Sequence, residues 1–176
     1  MQGYRGIWLW YLLFLTFQSN GQTAPKTSGK VNNVEFDKAI AAILKFDVPI
    51  LSVSEAIQLT DAIYLDAREN EEYQVCHIPG ARFVGCNQWN PLSIESFSKD
   101  QTLIVYCSVG YRSEKIANKI KALGYNRVYN LYGSIFEWIN EGHPIESAGG
   151  KPTQRIHTYN KEWSRWVMKP GIQKTW

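Results

Sequence analysis

Hydrophobic and polar positions along this chain switch between two periods, and the sharpest switch lies between Thr102 and Leu123. Thr102–Tyr106 is a near-continuous apolar, β-branched run, the pattern of a strand buried in a parallel sheet. Beyond a short turn, Ile116, Ile120 and Leu123 recur at helical spacing and stop at Gly124, a residue that ends helices readily. The same change of period recurs elsewhere. Phe36, Ala39, Ile40, Ile43 and Leu44 fall on one helical stripe, capped by Asn33 and halted before Pro49. Ile50–Val53 reads as a short strand, Ser54–Leu59 as a helix, and Ala62–Leu65 as a buried strand closing in Asp66-Ala67-Arg68-Glu69. Glu71–Val75 predicts a helical turn, Arg82–Val84 a short strand, and Gln88–Lys99 irregular chain with one helical turn around Ile94–Phe97. Arg127–Leu131 is the last strand of the series, followed by a helix with Ile135, Trp138 and Ile139 inward, ended by Gly142 and Pro144. Strands alternating with helices predict an α/β fold around a parallel sheet, whose ligands sit beyond the carboxyl ends of the strands. Asp66 and Cys107 both fall there.

The two ends of the chain follow neither period. Met1–Gln22 reads as a signal peptide: Arg5 at the start, an apolar run from Ile7 to Phe17 broken only by Thr16, then Ser19-Asn20-Gly21 at the cleavage spacing. This predicts export to a periplasm or outside the cell, an uncleaved anchor being the alternative. Residues 23–33 form a linker, residues 34–147 the body, and residues 148–176 an extension beyond the Ala148-Gly149-Gly150 hinge. Charge separates these parts. The extension carries Lys151, Arg155, Lys161, Arg165, Lys169 and Lys174 against Glu162 alone, which leaves the body mildly acidic and argues against nucleic acid as its main partner. Trp163, Trp166 and Val167 recur at helical spacing, so the extension is expected to dock as a helix and to contribute stability more than turnover. The alternative is a basic, Trp-bearing surface for anionic lipid or an acidic partner.

Chemistry concentrates in Cys107-Ser108-Val109-Gly110-Tyr111-Arg112-Ser113, the turn between the buried strand and its helix. Such a turn aims backbone N–H groups at one point, backed by the helix dipole. A cysteine there is a stabilised thiolate, and Arg112 adds a permanent positive charge, so the turn suits a sulfur nucleophile facing an anion. The plainer alternative is a small buried cysteine with an arginine on a solvated face, or an Arg112 salt bridge to Glu114 or Asp66. Cys76, Cys86 and Cys107 make an odd count. In an oxidising compartment the arithmetic pairs Cys76 with Cys86 and leaves Cys107 for chemistry; the alternative leaves all three reduced.

Two motifs resemble the rhodanese (thiosulfate sulfurtransferase) homology domain. Tyr73-Gln74-Val75-Cys76-His77-Ile78-Pro79-Gly80-Ala81, preceded by Asp66-Ala67-Arg68-Glu69, is similar to the family's aromatic-x-x-x-His-Ile-Pro-Gly-Ala pattern, with Cys76 where glycine is usual. Cys107 through Arg112 matches the active-site Cys-x-x-Gly-x-Arg of single-domain members, and Val128–Trp138 is a looser third match. Together they span roughly residues 50–144. The resemblance implies a single domain with a five-stranded parallel sheet flanked by helices on both faces. It implies that Cys107 takes the outer sulfur of a small anionic donor such as thiosulfate, becomes a persulfide, and passes the sulfur to cyanide or a thiol, a partner protein's thiol included. Ser108, Val109, Gly110, Tyr111 and Arg112 bind the substrate, with Gly110 letting the backbone turn inward and Arg112 attracting the donor's charge. Asp66, Arg68 and His77 fix the loops rather than touch substrate. No cofactor and no metal are called for. A phosphatase or arsenate reductase on this fold has five residues between cysteine and arginine where this chain has four; a non-catalytic or sulfur-relay module is the other alternative.

Overall fold

The computed structural model describes residues 30–176, so the expected leader and most of the linker lie outside the described residues. Helix α1 (Val34–Ala41) starts where Asn33 Oδ1 accepts the Phe36 N–H at 2.9 Å, and its apolar stripe buries Phe36 and Ile40. There follow β1 (Ile50–Leu51), α2 (Val53–Ala56), β2 (Ile63–Asp66), α3 (Asn70–Val75), β3 (Arg82–Phe83), a 3-10 turn at Pro91–Ile94, β4 (Leu103–Tyr106), α4 (Tyr111–Ala122), β5 (Val128–Leu131) and α5 (Ser134–Asn140). The five strands are parallel and lie in the order β1-β5-β4-β2-β3.

The strand at the centre is β4, the apolar run that dominates the sequence pattern. It pairs with β2 from Ile63↔Leu103 to Asp66↔Tyr106 and with β5 from Leu103↔Val128 to Val105↔Asn130. Its residues alternate between two cores, as a strand must. Leu103 and Val105 join Leu65, Ile116, Ile120 and Val128 under α4, whereas Ile104 and Tyr106 join Phe36, Ile40, Leu131, Ile135 and Phe136 under α1 and α5. Each such side chain contributes about 2 kcal/mol on burial, so β4 is held from both faces and its carboxyl end is a fixed point. Leu123, the last position of the α4 stripe, is 42 % exposed because the helix has already reached its C-cap there.

Two expectations need correction. The extension is not a helix: β6 (Arg155–His157) and β7 (Gln173–Thr175) form a two-stranded parallel sheet, joined through a 3-10 turn at Trp163–Trp166. Its apolar spacing lasts one turn only, because Pro170 and Gly171 stand where the next turn would fall. Pairing at Thr158 N–H to Thr175 O (2.7 Å) satisfies the backbone instead. The turn nevertheless docks: Trp166 stacks on Phe36 at 5.3 Å, Val167 is buried, and the Asn140 side chain clasps the chain through Trp166 O (2.9 Å) and Met168 N–H (2.7 Å). The expected Cys76–Cys86 disulfide is also absent, and all three cysteines are free. Cys76 belongs to the core under α1 and α5, whereas Cys86 packs against the core under α4, so the two thiols belong to different cores of the sheet.

Candidate active site

The carboxyl end of β4 delivers Cys107 into the turn that opens α4. Its backbone is tied to the start of α5, with the Cys107 N–H on Ser134 Oγ (3.1 Å) and the Cys107 carbonyl accepting from Ile135 N–H (3.2 Å). Cys107 is 1 % exposed and lines a cavity. Gly110 N–H points at Cys107 Sγ from 3.2 Å, and Ser113 Oγ lies 3.5 Å away. Gly110 makes this approach with φ +126°, a conformation side chains rarely adopt, although a Cβ there would meet neighbours only at 3.6 Å. Asn130 Nδ2 fixes the Gly110 carbonyl at 3.1 Å, and Ser113 Oγ donates to Asn130 Oδ1 at 2.7 Å.

Burial by itself pushes the Cys107 thiol up. The Arg112 charge and the hydrogen bonds from Ser113 and Gly110 outweigh burial, so the thiol ends below its ordinary value. The loop therefore makes the thiolate easier to form than burial by itself would allow.

Arg112 is not free to meet an anion. Its Nη1 and Nη2 grip Glu72 Oε2 (2.5 Å) and Oε1 (2.8 Å), and Glu69 Oε1 stands 3.9 Å from Nη1. The partner is neither Glu114 nor Asp66, the two carboxylates the sequence suggested. Glu114 instead accepts the Lys45 N–H at 2.9 Å. Burial pushes the Glu72 carboxyl up, but Arg112 draws it below its ordinary value, so the buried pair is ionised. Ser108 Oγ joins both partners, at 3.2 Å from Glu72 and 3.0 Å from Arg112.

Of the expected substrate-binding residues, Ser108, Val109, Tyr111 and Arg112 line the cavity with Cys107, while Gly110 acts through its N–H. Asp66 and Arg68 form a separate, fully buried pair: Arg68 Nη2 donates to Asp66 Oδ2 (2.7 Å) and to the Cys76 carbonyl (2.5 Å). His77 stacks on Tyr73 at 4.0 Å, and its backbone bridges to Glu146 through bonds of 2.8 and 3.0 Å. None of these three lines the Cys107 cavity. Residues the sequence did not assign to the site complete the walls: Ile43 from the segment after α1, and Tyr159 and Trp163 from the extension. Glu72 was equally unmarked, since its spacing from Glu69 signals only a capping box; the structure adds to that bond (Glu69 N–H to Glu72 Oε2, 3.0 Å) the grip on Arg112.

A buried cysteine whose thiol is drawn below its ordinary value sits in a strand-to-helix turn at the carboxyl edge of a parallel sheet. The chain belongs to the rhodanese-like family: the family's model, described as Rhodanese-like domain, matches residues 52–141. Curated relatives include the tRNA uridine(34) hydroxylase of Enterobacter sp. (strain 638), 31% identical over 98 residues, which cover 51% of this chain and 28% of that protein. The tRNA uridine(34) hydroxylase of Salmonella newport (strain SL254) is 28% identical over 106 residues, covering 55% of this chain and 30% of that one. The chain thus spans less than a third of the length of these relatives. Among solved structures, a thiosulfate sulfurtransferase from Pseudomonas aeruginosa superposes with a TM-score of 0.52 at 23% identity, covering 68% of this chain and 23% of that one, a likeness of fold. Ile43, Tyr159 and Trp163 lie outside the residues the family model matches.

Proposed function

We propose that this chain is a sulfurtransferase that carries a sulfane sulfur as a persulfide on Cys107. One observation carries the proposal: a buried cysteine, its Sγ met at 3.2 Å by the Gly110 N–H and its thiol drawn below its ordinary value, lines an open cavity in a loop with four residues between cysteine and arginine. In the first half-reaction the thiolate attacks the outer sulfur of the donor. A new S–S bond forms, the donor's own bond to that sulfur breaks, and the leaving group departs with the electron pair; with thiosulfate it is sulfite. The persulfide then gives its outer sulfur to cyanide, as thiocyanate, or to a thiol, and the Cys107 thiolate returns. A cysteine that attacks as its thiolate needs no general base, which agrees with His77 lying outside the cavity's lining. A phosphoryl reading would need Arg112 to receive the oxyanion, and Glu72 occupies both its terminal nitrogens. Export through the leader belongs to the same proposal, with an acceptor thiol outside the cytoplasm.

Intact-protein mass spectrometry after incubation with thiosulfate, mercaptopyruvate or polysulfide tests it. One sulfur atom should appear on Cys107, leave as thiocyanate on adding cyanide, and be absent in Cys107→Ser, whose hydroxyl is un-ionised near neutral pH. Failure to form a persulfide with any of the three donors overturns the proposal.

A further inference from the structure

We infer, resting on that sulfurtransferase reading, that the Cys107 cavity selects an organic sulfur donor with an apolar, ring-bearing end over inorganic thiosulfate, and that Tyr159 and Trp163 make the choice. Charge is the first ground. Arg112 is the cation among the cavity's lining residues, and its Nη atoms are spent on Glu72 at 2.5 and 2.8 Å with Glu69 close behind. Two carboxylates face one guanidinium, so an entering dianion meets a site already neutralised and would have to compete with a bidentate carboxylate. Ser108 Oγ is held by the same pair.

Shape and lining are the second ground. The cavity measures about 470 Å³, in the range of sites for organic molecules and far roomier than thiosulfate needs. Ile43, Val109, Tyr111, Tyr159 and Trp163 supply most of its wall. Tyr159 is placed deliberately. Its backbone stands at φ +68°, a conformation that costs a tyrosine energy, and is pinned by its N–H to His157 Nδ1 at 3.2 Å. Its ring lies 5.1 Å from the Arg112 guanidinium carbon, covering that cation. The Trp163 backbone N–H donates to Asn160 Oδ1 at 2.9 Å, which fixes the chain that carries the ring. The extension therefore adds an aromatic wall to a loop whose charge is already satisfied. An aryl thiosulfonate fits both features: its ring meets the aromatic wall, and its outer sulfur reaches Cys107. Attack by the thiolate forms the Cys107 S–S bond and breaks the sulfur–sulfonyl bond, and the aryl sulfinate leaves with the electron pair; no oxidant or reductant is consumed.

The test compares kcat/KM for benzenethiosulfonate and for thiosulfate, with cyanide as acceptor, on the whole chain. The native protein should prefer the aromatic donor by about tenfold or more, and Trp163→Ala and Tyr159→Ala should each cut that ratio about tenfold, chiefly through KM for the aromatic donor. Trp163→Phe, which keeps the ring, should retain most of the preference. Glu72→Gln should shift the ratio toward thiosulfate by freeing Arg112. A native preference for thiosulfate, or alanine variants that slow both donors by one factor, overturns the inference. A second measurement does not depend on sulfur transfer. Cys107 should be alkylated faster by N-benzyliodoacetamide than by iodoacetamide, and Trp163→Ala should erase the difference; equal rates on the native protein overturn the inference. A benzyl preference without turnover of any donor supports the aromatic site while overturning the sulfurtransferase reading.

Discussion

Cys107 concentrates the conflict that the loop resolves. Its near-complete burial disfavours the thiolate, and the field of Arg112 with the donors Ser113 and Gly110 reverses that preference. A thiol below its ordinary value keeps its thiolate to lower pH, so the alkylation rate of Cys107 should inflect at lower pH than that of an ordinary cysteine. Arg112→Ala should move the inflection upward, since it removes the cation that draws the thiol down. A rate-against-pH series with iodoacetamide reads both values, and an unmoved inflection would remove Arg112 from the account. The Glu72 carboxyl follows the linkage rule for depressed acids. Its folded pKa lies below its ordinary value, so its contribution to stability is complete above that ordinary value and is lost as pH falls through the folded pKa. The site's scaffold is thus held throughout the neutral range. Cys107 and Arg112 were legible in the sequence because their chemistry is local to one turn. Glu72 was not, because its partner lies forty positions away and one glutamate among several near Asn70 looks like any other.

At the scale of elements, the catalytic turn depends on a second turn, Leu131 to Ser134, that the sequence shows only as a strand end before a helix. Ser134 Oγ donates to Leu131 O (3.0 Å) and accepts the Cys107 N–H, so the start of α5 holds the end of β4. Gly133 makes the turn feasible. It sits at φ +73°, and a Cβ there would stand 2.7 Å from both Glu137 Cβ and Val31 Cγ1. Glu137 in turn receives the Asn32 N–H at 2.9 Å, which anchors the segment leading into α1. Gly133→Ala should therefore cost about 2 kcal/mol or more, from strain and from displaced neighbours together. Urea unfolding followed by fluorescence would show the lower midpoint, and a midpoint within error of the native one would mean that the turn relaxes freely. Helix and strand positions were otherwise well marked, since α1, α4 and β4 carry long, clean periods. The extension was misread for the converse reason: three apolar residues at helical spacing fill a 3-10 turn as well as an α-helical one.

For the whole molecule, the extension changes what the domain is. It buries Ile156 and Val167, stacks Trp166 on Phe36, and walls the Cys107 cavity with Tyr159 and Trp163. Deletion after Gly150 should thus do more than the stabilising role first expected of it. Losing several apolar contacts, together worth on the order of 5 kcal/mol, should lower Tm by on the order of 10 °C. The same truncation should change donor selectivity in the molecules that remain folded, because two cavity walls leave with it. Calorimetry and donor kinetics on the truncated chain read the two effects separately, and a lowered Tm with unaltered selectivity would return the extension to a purely stabilising role.

The sequence by itself determined the parallel α/β layout and the position of Cys107, because periodicity, β-branching and turn chemistry act over a few neighbouring residues. It also determined the loop geometry that points a glycine N–H at sulfur, since the residues involved are three apart. Only the tertiary structure decided which carboxylate neutralises Arg112, that Cys76 and Cys86 belong to different cores, and that Tyr159 and Trp163 line the cavity of the nucleophile. Those outcomes depend on which distant segments the packed sheet brings together. A salt bridge, a disulfide or a cavity wall requires two groups within a few ångströms, and separation along the chain carries no record of that distance.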